Sequence, residues 1–195
     1  MSEDKVTSIS ITGVGGQGII LASNIISKLA LSAGYDVKKS EVHGMSQRGG
    51  SVVSEVRFGE KVYSPLIPEG GADIVMSFEK VEALRYINKL KKGGIIIVNT
   101  QEILSSTILA GLEEYPKGII EELKSIVSRV IPVNAMEDAK SLGNIKTVNS
   151  IMLGVLSGYL SFSLQLWEDV IKSSVPAKTM ELNLRAFMRG REYNS

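Results

Sequence analysis

Apolar residues along the chain switch between a two-residue and a three-to-four-residue period, and the switches mark out alternating strands and helices. Val6 to Thr12 is rich in β-branched residues and predicts a strand. After a run of glycines, Ile19, Ala22, Ile26, Leu29 and Ala33 recur at helical spacing, and Gly34 closes that helix. "DVKKSEV" predicts a second strand. "SVVSEVRFGEKVYSP" alternates, with Val52, Ser54, Val56 and Phe58 on one face and Val53, Glu55 and Arg57 on the other; Gly59-Glu60 predicts a hairpin turn and antiparallel pairing. "ADIVMSF" reads as a short buried strand. "EKVEALRYINKLKK" reads as a helix with Val81, Leu84, Ile87 and Leu90 facing inward and Gly93-Gly94 ending it.

The continuous apolar run "IIIVN" predicts a central strand buried on both faces. Residues 101–118 are less regular, with Pro116 as a helix-start candidate. "GIIEELKSIVS" predicts a helix, "RVIPVN" a strand, and the remainder three helices, the last from about Ala177 to Tyr193. Strands and helices alternate through the first two thirds. The expected fold is therefore α/β, a Rossmann-like three-layer sandwich with a mostly parallel sheet, an antiparallel hairpin and C-terminal helices. No repeat, low-complexity stretch or linker interrupts the chain, so residues 1–195 are expected to form one domain.

Composition narrows the chemistry. Lys plus Arg is 22 and Asp plus Glu 21, a formal net charge of +1, which argues against general nucleic-acid binding. There is no cysteine and a single histidine, so disulfides, thiolate zinc sites, ordinary iron–sulfur ligation and multi-histidine metal sites are excluded for this chain. No run of apolar residues is long enough to cross a bilayer, and the N-terminus lacks the apolar run of a signal peptide; a cytoplasmic protein is expected.

Two stretches carry candidate chemistry. Gly13-Val14-Gly15-Gly16-Gln17-Gly18 matches G-x-G-x-x-G between the first strand and the first helix. Such a turn either offers free N–H groups to an anion or dinucleotide, or lets strand and helix pack closely. A dinucleotide site also wants an acid near the end of the second strand, and Glu41 lies 23 residues after Gly18. The second stretch is Glu41 to Ser51, "EVHGMSQRGGS". It presents His43, Ser46, Gln47 and Arg48 among Gly44, Gly49 and Gly50. The first two strands are expected to be neighbours in a doubly wound sheet, so both stretches should share one sheet edge. His43 is either a hydrogen-bonded loop histidine or a base, and Arg48 either a solvated cation or a phosphate or carboxylate contact. Gly154 and Gly158 on a helix predict close helix packing, inside the fold or between subunits.

There is no G-x-S-x-G elbow, no P-loop lysine and no G-D-G pattern with downstream asparagines of a thiamine diphosphate site. No side chain is expected to be catalytic by itself. A nucleotide-like scaffold without a catalytic group points to a binding subunit; the competing readings are an NAD(P)-binding dehydrogenase and a nucleotide-sensing regulatory domain.

"ITGVGGQGI", "EVHGMSQRGGSV", "VRFGEKVYSPLIPEGGADIVMSFEKVEALRYINKLKKGG" and "SVPAKTMELNLRAF" together resemble the gamma-type component of 2-oxoacid:ferredoxin oxidoreductases, in particular the branch acting on aryl pyruvates such as indolepyruvate. H-G-M-S-Q-R-G-G with P-E-G-x-A-D-I is far more specific than the glycine fingerprint. The resemblance implies a Rossmann-like subunit of an enzyme that oxidatively decarboxylates 2-oxoacids to acyl-coenzyme A and passes electrons to ferredoxin. Thiamine diphosphate and iron–sulfur clusters would belong to a large alpha subunit and coenzyme A to the assembled enzyme, with no cofactor bound by this chain alone. A hetero-oligomer follows, with a homodimer open for the isolated chain. Glu41 to Ser51 would line the partner's active site.

Overall fold

The fold is described from a computed structural model, over residues 6–44 and 50–194. The six strands are β1 (Thr7–Val14), β2 (Asp36–His43), β3 (Ser51–Gly59), β4 (Ala72–Ser77), β5 (Leu90–Asn99) and β6 (Val130–Val133). They form one sheet in the order β2-β3-β1-β4-β5-β6. β1, β4, β5 and β6 run parallel, and β3 is antiparallel to both β1 and β2. A mostly parallel sheet with helices on both faces matches the expected three-layer α/β sandwich.

The strand order and the hairpin differ from the sequence expectation. β1 and β2 are not neighbours, because β3 lies between them. The antiparallel pair of consecutive strands is β2–β3, with His43 opposite Val52, and Gly59-Glu60 ends a strand without turning back into another. Both faces of β3 are covered, and Ser54 and Glu55 are buried. Glu55 is matched there by the Lys89 ammonium at 2.9 Å and the Ile67 N–H at 2.9 Å, while the Arg57 Nε donates to Ser8 Oγ at 3.1 Å. Pairing these polar groups is what lets a strand of this composition sit inside the sheet.

Helix α1 (Ile19–Ser32) follows the glycine turn and buries Ala22, Ile25, Ile26 and Leu29. It ends in a Schellman arrangement: Gly34, at φ 86°, donates to the Leu31 carbonyl and Tyr35 to that of Ala30. α2 (Lys80–Arg85) is shorter than the periodicity predicts; a 3₁₀ turn at Ile87–Lys89 follows, and Leu90 already opens β5. Gly93 and Gly94 therefore lie inside the strand and do not end the helix. A β-carbon on Gly94 would stand 2.7 Å from Leu90 Cδ1 and 3.0 Å from the Asp73 carbonyl oxygen, so a side chain there requires Leu90 to shift. The short α3 (Ser106–Leu109) and α4 (Ile119–Ile126) follow, with Gly118 as the α4 N-cap and Pro116 outside the helix. Four helices, not three, close the chain: α5 (Ala135–Ser141), α6 (Val148–Ser157), α7 (Leu164–Ser174) and α8 (Met180–Arg191).

The main core joins one sheet face to α1 and α5–α8, through Ile9, Ile11, Met76, Ile97, Leu153, Trp167 and Phe187; the smaller one packs Val75, Ile96 and Val98 against Ala83, Ile119 and Leu123. Gly154 works inside the fold: α6 and α8 touch where it meets Gly190. Asp138 on α5 accepts from Arg189 Nε at 2.9 Å and from the Tyr193 hydroxyl at 2.7 Å, tying down the C-terminal segment. Burial, then the bond to Asp138, pushes the Tyr193 phenol up to about 12. Among the described residues, no helix is long and apolar enough to cross a membrane.

Candidate functional site at the carboxyl edge of the sheet

In open α/β sheets ligands gather beyond the carboxyl ends of the parallel strands. Here that edge carries the Gly13–Gly18 turn after β1, the β2–β3 hairpin tip and the start of α2 after β4. The pairing register runs Gly13–Val52–His43, so the ends of β1 and β2 stand two strand spacings apart, roughly 10 Å. The turn and the hairpin base are nonetheless joined, because the Gly15 N–H donates to the Gly50 carbonyl at 3.0 Å. Gly44 N–H donates to the Ser51 carbonyl at 2.8 Å and closes the base of the tip. Ser46, Gln47, Arg48 and Gly49 lie outside the described residues, and for His43 only the backbone position is described.

The glycine turn is filled from within. Gln17 folds back so that its Oε1 accepts from the Val14 N–H at 2.8 Å, while its Nε2 donates to the Phe78 carbonyl at 2.9 Å and to Gln101 Oε1 at 3.1 Å. A β-carbon on Gly13 would lie 2.8 Å from that Gln17 Oε1 and 2.9 Å from Phe78 Cβ, which explains the first glycine by close packing. Gly16 and Gly18 have φ of 97° and 82°, and Gly18 is the α1 N-cap with Asn149 of α6 packed against it. The N–H groups of Val14, Gly15 and Gln17 are thus all taken by the protein. Glu41 sits on the edge strand and pairs with Lys39 at 2.6 Å.

The sequence reading missed a buried acidic pair beside this turn. Glu79 and Glu82 are 1% and 4% exposed. Glu79 caps α2, its Oε2 accepting from the Glu82 N–H at 3.0 Å and its Oε1 from the Tyr115 hydroxyl at 2.5 Å. Burial, then the bond to Glu79, pushes the Tyr115 phenol well above the usual tyrosine range, so it stays a donor. Glu82 accepts from Ser51 Oγ at 2.5 Å, from Arg85 at 2.6 Å and from Thr12 Oγ1 at 3.4 Å. Ser51 is the first residue of β3, so Glu82 holds the return leg of the hairpin tip. A cleft of about 470 Å³ opens here, lined by Val14, Ser51, Glu82, Arg85 and Tyr115 among others. The available signal was position: an E-x-x-E pair immediately after the strand "ADIVMS", at the carboxyl edge. A larger cavity, about 630 Å³, lies at the opposite edge, between Tyr35, Phe58, Asp73 and Arg129. It stands away from the turn and the tip, at the strand ends where α/β sheets do not place their main ligands.

Residues 8–193 match the pyruvate ferredoxin/flavodoxin oxidoreductase family. The chain belongs to this family. It is 48% identical over 193 residues to indolepyruvate oxidoreductase subunit IorB of Thermococcus kodakarensis, covering 95% of each chain. Its fold matches the solved gamma subunit of the keto/oxoacid ferredoxin oxidoreductase of Geobacter sulfurreducens, with a TM-score of 0.72 at 26% identity over 96% of this chain and 98% of that one. The 2-oxoglutarate:ferredoxin oxidoreductase of Magnetococcus marinus, solved with 2-oxoglutarate, coenzyme A and succinyl-CoA bound, shares the fold at a TM-score of 0.77 and 22% identity; the match covers 98% of this chain and 31% of that one. The chain is thus a subunit of a 2-oxoacid:ferredoxin oxidoreductase.

Proposed function

We propose that the chain is the non-cluster subunit of a thiamine-diphosphate-dependent enzyme that oxidises aryl pyruvates such as indolepyruvate in the cytoplasm. On this reading, residues 1–195 act as one domain that docks on a large alpha subunit. That subunit carries thiamine diphosphate and the iron–sulfur clusters, which supply decarboxylation and electron transfer, with ferredoxin as acceptor. The fit of residues to groups supports this division. A chain with no cysteine has no thiolate for a cluster. The carboxyl edge presents the hairpin tip instead: a glycine-rich segment bearing Ser46, Gln47 and Arg48, with its return leg fixed by Glu82 and by the Gly15–Gly50 bond. In the assembled enzyme Glu41 to Ser51 line the partner's active site. Arg48 is their anion contact, suited to a coenzyme A phosphate or a partner carboxylate.

The observation that carries this reading over a dinucleotide enzyme or sensor is the Gln17 amide seated in the glycine turn. The Val14, Gly15 and Gln17 N–H groups of the turn are already committed within the protein, and Gln17 Oε1 lies against Gly13, which leaves a pyrophosphate fewer donors and less room at the turn. The acid that would hold a ribose, Glu41, is engaged by Lys39 two strand spacings from the turn. Calorimetric titration of the isolated chain with NAD, NADH, NADP and NADPH is therefore expected to show nothing tighter than the millimolar range, about −4 kcal/mol. A micromolar constant for any of them would overturn the assignment in favour of a dehydrogenase or a nucleotide sensor.

A further inference from the structure

The cavity of about 630 Å³ at the edge opposite the glycine turn has no part in the proposed function, yet its size is that of a small-molecule site. Its floor forms where β4 and β5 fall out of step. Ala72 pairs with Leu90 and Ile74 with Ile95, so Lys91 to Gly94 stand opposite Asp73 alone. Bulges gather beside binding sites, where they re-aim a side chain. This one sets the Lys91 ammonium on the Asp73 carboxylate, which also accepts from the Ser8 N–H at 2.7 Å. Asp73 is thereby satisfied, and the middle of the cavity carries no net charge.

Two chemically distinct ends remain. At one, the rings of Tyr35, Phe58 and Phe162 lie 5.6 to 6.2 Å apart, and Tyr35 is 43% exposed. At the other, the Arg129 guanidinium stands 5.7 Å from the centre of the Tyr159 ring and has no carboxylate partner among the described residues. Tyr159 and Phe162 are three residues apart on one wall, so their Cα atoms are separated by no more than about 11 Å. Glu60 is the other carboxylate that lines the cavity. It follows β3, whereas Arg129 precedes β6, four strand positions or roughly 19 Å away. Glu60 therefore leaves the positive end uncancelled.

We infer that this cavity is an accessory binding site for an aromatic carboxylic acid whose ring and carboxylate stand several bonds apart. The ring lies against Tyr35 and Phe162, and the carboxylate accepts a charge-assisted hydrogen bond from Arg129. A neutral ring would gain nothing from the guanidinium, and a cation would be repelled by it. The site lies at the sheet edge away from the hairpin, so its occupant is not the molecule reacting there. The inference does not depend on the subunit reading, and either can fail without the other.

Calorimetric titration of the isolated full chain with 4-phenylbutyrate tests it. A dissociation constant of roughly 0.1–1 mM is expected for a ligand of this size. Arg129→Gln should weaken binding at least tenfold and Tyr35→Ala about threefold. Both variants should melt like the parent, because both side chains are exposed and the Arg129 carbonyl, which accepts from the Ile96 N–H at 3.0 Å, is kept. 4-Cyclohexylbutyrate should bind several-fold more weakly, and 4-phenylbutylamine not measurably. A parent constant weaker than about 10 mM overturns the site, as does an amine that binds as well as the acid. Binding that survives Arg129→Gln but is lost on Arg85→Gln would place the acid in the cleft beside Glu82 and overturn it too.

Discussion

Gly190→Ala is expected to lower the stability of the chain by about 3 kcal/mol and its melting temperature by roughly 6–12 °C. A β-carbon at 190 would stand 1.9 Å from the Ile151 carbonyl oxygen, and one on the facing Gly154 would stand 2.1 Å from that of Phe187. Both obstacles are helix backbone, which cannot rotate aside. α6 and α8 must therefore separate by about an ångström, and that contact lies beside Trp167 and Phe187 in the main core. Gly143→Ala is the control. It sits at φ 88° with nothing within 4 Å of an added β-carbon, so it carries only the left-handed backbone penalty of about 1–2 kcal/mol. Urea and thermal melts of the two variants decide the matter. A loss at Gly190 no larger than at Gly143 would contradict the close helix contact.

Arg48→Ala is expected to separate folding from function. Stability should change by no more than about 0.5 kcal/mol, as for an ordinary surface position. In the assembled enzyme the loss of a charge-assisted hydrogen bond costs roughly 1.5–3 kcal/mol, about a tenfold to hundredfold effect. Its place distinguishes two roles. A raised KM for coenzyme A with normal assembly marks a phosphate contact, and weaker assembly with normal coenzyme kinetics marks a contact to a partner carboxylate. A variant that assembles and turns over like the parent reduces Arg48 to a solvated cation.

Much of the fold was legible because burial leaves a period. β1, β4 and β5 announce themselves as apolar or β-branched runs, and α1 as a helical stripe closed by Gly34. The failures share a cause. β3 carries Glu55 and Arg57, whose place inside the sheet depends on Lys89, on Ser8 and on loop carbonyls that are distant in sequence. Its insertion between β1 and β2 is likewise a non-local pairing that no local pattern encodes. The break of α2 at Tyr86 was hidden because Ile87 and Leu90 continue the helical spacing while serving a 3₁₀ turn and a strand.

The site was half legible. The glycine turn and the 41–51 stretch stood out by composition, and the structure joins them through Gly15 and Gly50. What composition could not convey is that Gln17, inside the motif itself, fills the turn. Nor could it show that Glu82, on the polar side of a short helix, reaches back to Ser51.

The central claim is that this chain completes an enzyme whose cofactors are held elsewhere. Reconstitution from purified components under anaerobic conditions tests it most directly, with reduction of a viologen dye by indolepyruvate and coenzyme A as the readout. The isolated chain should be colourless and inactive, and turnover should appear when it is mixed with its large subunit and saturate at a fixed ratio of the two. Dye reduction by the chain alone, or full activity of the large subunit without it, would contradict the account.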